Sequence, residues 1–158
     1  MSAIDDFDLK ILTLLQANGR LSNQDLSDLV GLSASQCSRR RIGLEQAGLI
    51  LGYHARLAPQ AMNTQMVAMI EVSLISHSTH TSAAFEAFVL EDAAIIDAYK
   101  TTGDADYALK VAVEGLTQLN ALMGRLSGSA TIGHMKTAVV LQRLKESGLV
   151  ASQAWVAE

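Results

Sequence analysis

Along the first third of the chain, apolar residues recur at helical spacing. Over residues 5–17, Phe7, Ile11, Leu14 and Leu15 form one stripe, and Gly19 follows as a stop. Ser22 then sits where an N-cap is needed. Asp25, three residues on, completes an acidic capping box, and Leu21 and Leu26 stand at the positions of a hydrophobic staple. Leu26, Leu29 and Val30 supply the buried stripe of this second helix, and Gly31 ends it. The same grammar repeats at once, with Ser33 as cap, Gln36 as its box partner, and Leu32 and Cys37 as staple. The third helix runs to about Ala47, and Gly48 closes it. Two helices joined by a short turn around Gly31, behind a supporting first helix, predict a helix-turn-helix. "LILGYHARL", residues 49–57, predicts a short wing-like strand, so a winged helix-turn-helix is expected over residues 1–57. "APQAMNTQ" contains the only proline, Pro59, and marks a linker over 58–66.

Beyond the linker the period changes. Ala68, Ile70, Val72 and Leu74 alternate as in a strand. Phe85, Phe88 and Val89 mark a helix entered through Thr81 or Ser82. "AAIIDAYKTTGDADYALKVAVE" predicts two strands joined by a turn at Gly103 and Asp104. Leu119, Leu122, Met123 and Leu126 mark another helix, and residues 132–144 a last strand. The order β-α-β-β-α-β predicts a ferredoxin-like domain over 67–146, and the whole chain is expected to be α+β. The last strand is apolar on both faces, with Ile132, Val140 and Leu144 on one and Val139 and Leu141 on the other. A sheet carrying helices on one face alone would leave an apolar face bare, which predicts a partner subunit over it. "SGLVASQAWVAE", residues 147–158, is a tail without a readable motif.

Composition narrows the function. With 49% apolar and 18% charged residues, the 158-residue chain is not a disordered one. Its net charge of −4 argues against a protein that coats nucleic acid everywhere, but not against a local basic patch. Residues 1–60 hold six basic and six acidic side chains, and the two kinds are segregated. Asp5, Asp6, Asp8, Asp25 and Asp28 come early; Arg39, Arg40, Arg41 and Arg56 come late. Cys37 stands alone, so neither a disulfide framework nor a thiolate metal site is expected. No apolar run approaches a membrane span, and "MSAIDDFDLK" lacks a signal-peptide layout, so a cytoplasmic protein that does not meet a membrane is expected.

An arginine triplet ordinarily marks a solvated helix face. Here it falls on the second helix of a helix-turn-helix, which enters the major groove with its N-terminal residues at the bases. Ser35, Gln36, Ser38 and Arg39 occupy those early positions. Arginine grips guanine edges or phosphate, glutamine suits adenine, and serine serves either purpose. On the helical wheel Arg41 falls near Cys37 and Leu44, the buried side, while Ile42 points outward, so either the helix is rotated slightly or the long stem of Arg41 snorkels. His77 and His80 share a metal-like spacing, yet lie in a polar loop without a nearby acid or thiol in sequence, and are expected to be solvated. His54 is a candidate phosphate contact, and His134 with Met135 a possible pocket wall. Gly124 and Gly128 indicate only close packing. No phosphate-cradling glycine loop, nucleophile elbow or metal cluster is present. In the second domain the turn Thr102-Gly103-Asp104-Ala105-Asp106-Tyr107 joins two strands. Gly103 there can expose amide groups, and Asp104 and Asp106 read from the residues alone as turn residues, since Asp favours turns.

Taken together, these stretches resemble the Lrp/AsnC family of bacterial regulators. The similarity runs over about residues 4–145, through "DLKILTLLQANGRLSN" (8–23), "VGLS" with R-x-x-x-L-E-x-x-G-L-I (30–50), "TGDADYALKV" (102–111) and "TAVVLQRLK" (137–145). The family usually has an apolar residue in place of Arg41, often a basic one in place of Ile42, and commonly a proline-glycine pair where this chain has "SGSATIGHMKT". The resemblance implies a non-enzymatic, sequence-specific regulator of transcription. It would bind double-stranded operator DNA through Ser33, Ser35, Gln36, Ser38, Arg39, Arg40 and Arg41. It would take a small effector, commonly an amino acid and here by side-chain size a neutral one, at Thr102, Gly103, Asp104 and Asp106. By the same resemblance Thr137, Ala138 and Val139 line the pocket, with Tyr99 beside them. Homodimers assembling to an octamer are implied, with no cofactor and no metal. A sirohaem-decarboxylase-like enzyme shares this two-domain plan, but its tetrapyrrole would call for more arginine than Arg125 and Arg143.

Overall fold

A computed structural model describes residues 4–145 of the chain. The chain divides into two compact units, the first running to Arg56 and the second over Leu57–Leu144.

The first unit is built from α1 (Asp6–Ala17), α2 (Asn23–Val30) and α3 (Ala34–Gln46). Each begins in a reciprocal capping box, in which a side chain accepts from the third helical N–H and that residue's side chain accepts from the cap's own N–H. The pairs are Asp5 with Asp8, Ser22 with Asp25, and Ser33 with Gln36. Gly31 ends α2 in the left-handed conformation, φ +82°, which a side chain would resist. Ile11, Leu15, Leu26, Val30, Cys37 and Leu44 close the core between the three helices. Burial pushes the Cys37 thiol up from its ordinary pKa, so it acts as a small apolar residue here.

The wing is not formed. Residues 49–57 contain no strand, because the amides of Leu49 and Ile50 are consumed in closing α3 and both donate to the Leu44 carbonyl (2.9 and 3.3 Å). Among the described residues of this unit, the stretch after them has no second strand with which to form a ladder.

In the second unit Pro59–Met62 makes one 3-10 turn. Then follow β1 (Met66–Leu74), α4 (Thr79–Glu91), β2 (Ile95–Lys100), β3 (Tyr107–Val113), α5 (Leu116–Ser127) and β4 (Ile132–Val139). The four strands form an antiparallel sheet in the order β2-β3-β1-β4. Ala68, Ile70, Val72 and Leu74 pack with Leu109 and Val111 on one face, under Phe85 of α4 and Leu119, Leu122 and Leu126 of α5.

Two boundaries and the character of one sheet face differ from the sequence reading. Helix α4 starts earlier, because Ser78, rather than Thr81 or Ser82, takes the extended cap conformation and accepts from the Thr81 N–H. Strand β4 ends at Val139, not at residue 144. Its partner β1 runs out at Met66, and a single bond from Val140 N to Val67 O closes the pairing. Leu141 and Leu144 therefore lie beyond the strand and stand 98% and 88% exposed. The helix-free sheet face is also less apolar than expected. Met69, Tyr99 and Ala138 share it with the ion pairs Lys110–Asp97 and Lys136–Glu71, each 3.6 Å.

Candidate DNA-reading face and effector region

The buried seam of α3 is Cys37 and Leu44, which packs the helix into the core of the first unit. Helical spacing puts Ser35, Arg39, Ile42 and Gln46 directly opposite, and all four are exposed. Arg40 and Arg41 fall on either flank of the seam, and both turn inward.

Arg40 Nη1 reaches Asp5 and Asp8 at the start of α1, at 2.8 Å each, with its guanidinium 5.4 Å from the Phe7 ring centroid. The contact is half-sheltered, with the Arg40 side chain 29% and that of Asp8 16% exposed. The bond to Asp8 pushes the Arg40 pKa up. Asp5 is held below its ordinary value chiefly by the Asp8 backbone N–H, and also by Arg40. Arg41 closes a second network. Its Nε donates to Tyr53 Oη at 2.7 Å and lies 3.4 Å from Glu45 Oε1, its Nη1 donates to the Leu21 carbonyl at 3.3 Å, and its guanidinium stacks 4.4 Å from the Tyr53 ring centroid. Tyr53 Oη donates in turn to Glu45 Oε1 at 2.8 Å, and burial with this bond raises the phenol's pKa.

Of the three arginines, Arg39 alone forms no ion pair or hydrogen bond with another described residue. Ser33 and Gln36 are engaged in the cap of α3: Gln36 Oε1 accepts from Ser33 N at 3.0 Å and from its hydroxyl at 2.9 Å, and Ser33 Oγ lies 3.1 Å from Ser35 Oγ. Ser38 is half-buried. The helix thus separates residues that hold it from residues that face outward. Sequence reasoning missed Asp5, Asp8, Glu45 and Tyr53 as holders; the signal present was the early cluster of aspartates ahead of the late cluster of arginines.

In the second unit the turn between β2 and β3 is closed by Thr101, whose N–H donates to the Asp106 carbonyl (2.8 Å) and whose hydroxyl donates to the Ala105 carbonyl (2.7 Å). Gly103 adopts φ +121°, and Thr102, Gly103 and Asp104 are exposed. Asp106 pins this turn to the end of β1. Its N–H donates to the Val72 carbonyl (2.9 Å), its Oδ2 accepts from the Leu74 N–H (2.8 Å), and its Oδ1 lies 3.3 Å from His77 Nδ1. His77 is thus solvated, at 83% exposure, but not without an acid beside it.

Thr137 pairs with Ile70 on the helix-facing side of β4, and its Oγ1 is buried with no hydrogen-bond partner. Ala138 and Tyr99 lie on the helix-free face, while Val139 shares the Thr137 side and is 40% exposed. These candidates form two separate groups within one protomer. Tyr99 is on β2 and Thr137–Val139 on β4, with β3 and β1 between them, while the turn is bonded to the Val72–Leu74 end of β1, away from the Ala68–Ile70 stretch that Thr137–Val139 pair with. Three strand spacings separate the outer strands, about 14 Å.

Residues 4–45 match the AsnC-type helix-turn-helix domain, and residues 67–150 match the Lrp/AsnC ligand binding domain. The chain belongs to the Lrp/AsnC family. Among curated relatives of this Lrp/AsnC protein is the leucine-responsive regulatory protein of Haemophilus influenzae, 34% identical over 94% of this chain and 90% of the relative. Another is the Bkd operon transcriptional regulator of Pseudomonas aeruginosa, 36% identical over 90% of this chain and 94% of the relative. A transcriptional regulator of Neisseria meningitidis solved as an L-Met complex superimposes with a TM-score of 0.86 at 32% identity, covering 91% of this chain and 94% of that one. An AsnC family regulator from Agrobacterium tumefaciens gives 0.86 at 31% identity, covering 92% and 95%. The chain is therefore a transcriptional regulator with a DNA-binding helix-turn-helix and a ligand-binding domain. Among the described residues, no helix is long and apolar enough to cross a membrane.

Proposed function

We propose that this regulator sets the outward face of α3 into the major groove of an operator, with Arg39 as principal donor and Ser35 and Ser38 beside it, and that it changes affinity or assembly when an amino acid occupies the second domain. The observation that carries the DNA reading is the division of the arginine triplet. Arg40 holds the helix against the start of α1, Arg41 holds it against Tyr53 and the Leu21 carbonyl, and Arg39 stands opposite the buried seam. A rigidly held helix presenting a bidentate donor is what base readout needs.

For the effector, the relative solved with L-Met supports an amino acid, and small side chains at Ala138 and Val139 favour a neutral one. The exposed amides around Gly103 suit a carboxylate. Asp104 carries an uncommitted carboxylate for the ammonium group, whereas Asp106 already holds the Leu74 N–H. Because Tyr99 and Thr137–Val139 stand on the two outer strands, and the turn is bonded to the Val72–Leu74 end of β1 while Thr137–Val139 pair with Ala68–Ile70, we place the complete pocket where protomers meet. This supports a homodimer that assembles further, to an octamer in the fullest form, working in the cytoplasm as a non-enzymatic regulator.

The test of DNA docking is fluorescence anisotropy on the DNA upstream of the regulator's own gene. We expect Arg39→Ala to lose roughly 1–3 kcal/mol of operator affinity, the value of one bidentate base contact. Unchanged binding by Arg39→Ala would remove α3's outward face as the reading surface.

A further inference from the structure

The outward face of α3 carries one residue that neither hydrogen-bonds nor pairs with phosphate: Ile42. It lies three positions beyond Arg39 and seven beyond Ser35, opposite the seam, and is 48% exposed. Gly43 follows it. A glycine inside a helix is less favourable than alanine, yet a Cβ at Gly43 would meet nothing within 4 Å. Packing among the described residues therefore does not require the glycine. An apolar branched side chain beside a bare stretch of helix, on a face otherwise made of Ser35, Arg39 and Gln46, suits an apolar object that approaches closely. The major groove offers one such group, the C5-methyl of thymine.

We propose that Ile42 is a specificity-determining residue that packs on a thymine methyl next to the base contacted by Arg39, and that Gly43 leaves the room for that base edge to approach. This rests on the docking of α3 proposed above. Each half-site of a preferred operator then contains a thymine whose methyl group, rather than its hydrogen-bonding edge, is read.

The experiment uses the full-length protein and a duplex it selects from a random pool. Each thymine is replaced singly by deoxyuridine, which deletes the methyl and leaves the base pair intact. Binding is measured for wild type, Ile42→Ala, Gly43→Ala and Arg39→Ala. At one thymine per half-site, deoxyuridine should weaken wild-type binding about fourfold, the value of one buried methyl, and should leave Ile42→Ala unaffected at that position. Alanine is the better helix former at both positions, so neither variant threatens the fold. Gly43→Ala should unfold at a higher temperature and yet bind the operator more weakly. If every deoxyuridine duplex changes wild type and Ile42→Ala by the same factor, or if Gly43→Ala binds as wild type does, the assignment is wrong. If Arg39→Ala is weakened in that case, docking stands and only the Ile42 contact falls; if Arg39→Ala also binds normally, the docking itself falls.

Discussion

The hydroxyl of Thr137 lies buried in β4 without a hydrogen-bond partner, on a strand that pairs directly with the central β1. A buried hydroxyl left unsatisfied costs about 1–3 kcal/mol relative to one that is paired or solvated. Thr137→Val keeps the branched shape and replaces the hydroxyl by a methyl group, so the strand geometry is preserved and the penalty disappears. We expect the variant to be more stable by about 1 kcal/mol, the low end of that range. In a unit of this size that corresponds to a rise of about 4–8 °C in the midpoint of its thermal transition. Differential scanning calorimetry of the full chain reads this directly. If Thr137 also contributes to the effector pocket, the same substitution weakens amino-acid binding about tenfold, the loss of one hydrogen bond. Titration calorimetry with a panel of neutral amino acids reads that second effect. A variant that unfolds at a lower temperature would show that the hydroxyl has a partner and that the reasoning is wrong. A variant that is more stable but binds its amino acid unchanged would place the pocket away from β4.

Two further outcomes concern the first unit. A double-mutant cycle of Arg40→Ala and Asp8→Ala in urea should show a coupling of about 1 kcal/mol, above the usual surface pair because both side chains are sheltered; additive effects would mean that the bridge does not hold α3. Asp5 and Asp25 both have folded pKa values below the ordinary 3.8, Asp5 mainly through the Asp8 N–H and Asp25 mainly through the Ser22 hydroxyl. The stability they contribute is therefore present above that value and is lost as pH falls through their depressed folded values. The urea midpoint of wild type should drop below about pH 4, and Asp5→Asn with Asp25→Asn should flatten the drop; an equal drop in the double variant would assign acid sensitivity to other carboxylates.

Much of this architecture is local, and local features were legible. Ser22 with Asp25 and Ser33 with Gln36 are capping boxes that depend on three-residue spacing alone, and both formed. The wheel position of Arg41, near Cys37 and Leu44, anticipated that its stem would lie inward, where it stacks on Tyr53. Arg40 shows the limit of such reading: its partners lie in α1, more than thirty residues earlier, and no periodicity reports how α1 crosses α3. The strand expected over residues 49–57 failed for a related reason, since a strand is a property of two segments and that one has no partner among the described residues. The end of β4 was misplaced because it is set by where β1 stops, and not by the apolar run through Leu144. Around Ser78 several hydroxyl residues could each cap a helix, and composition does not choose among them. As for the candidate effector residues, the motif identified the turn, but the hydrogen bond from Leu74 to Asp106 is a tertiary contact that no motif contains.

The inward commitment of Arg40 and Arg41 has a consequence for how the protein responds to ionic strength. Each phosphate neutralised by a basic side chain releases condensed counterions and steepens the dependence of log affinity on log salt by about 0.9. Three arginines of α3 each on a phosphate would put about 2.7 into that slope for every protomer bound, whereas with Arg40 and Arg41 turned inward α3 contributes at most about 0.9, and less if Arg39 is spent on a base. The guanidinium groups of Arg40 and Arg41 are already compensated by Asp5, Asp8 and Glu45 and bring few counterions to release. On the docking proposed above, a helix with three consecutive arginines is expected to respond to salt like one carrying no more than a single positive charge.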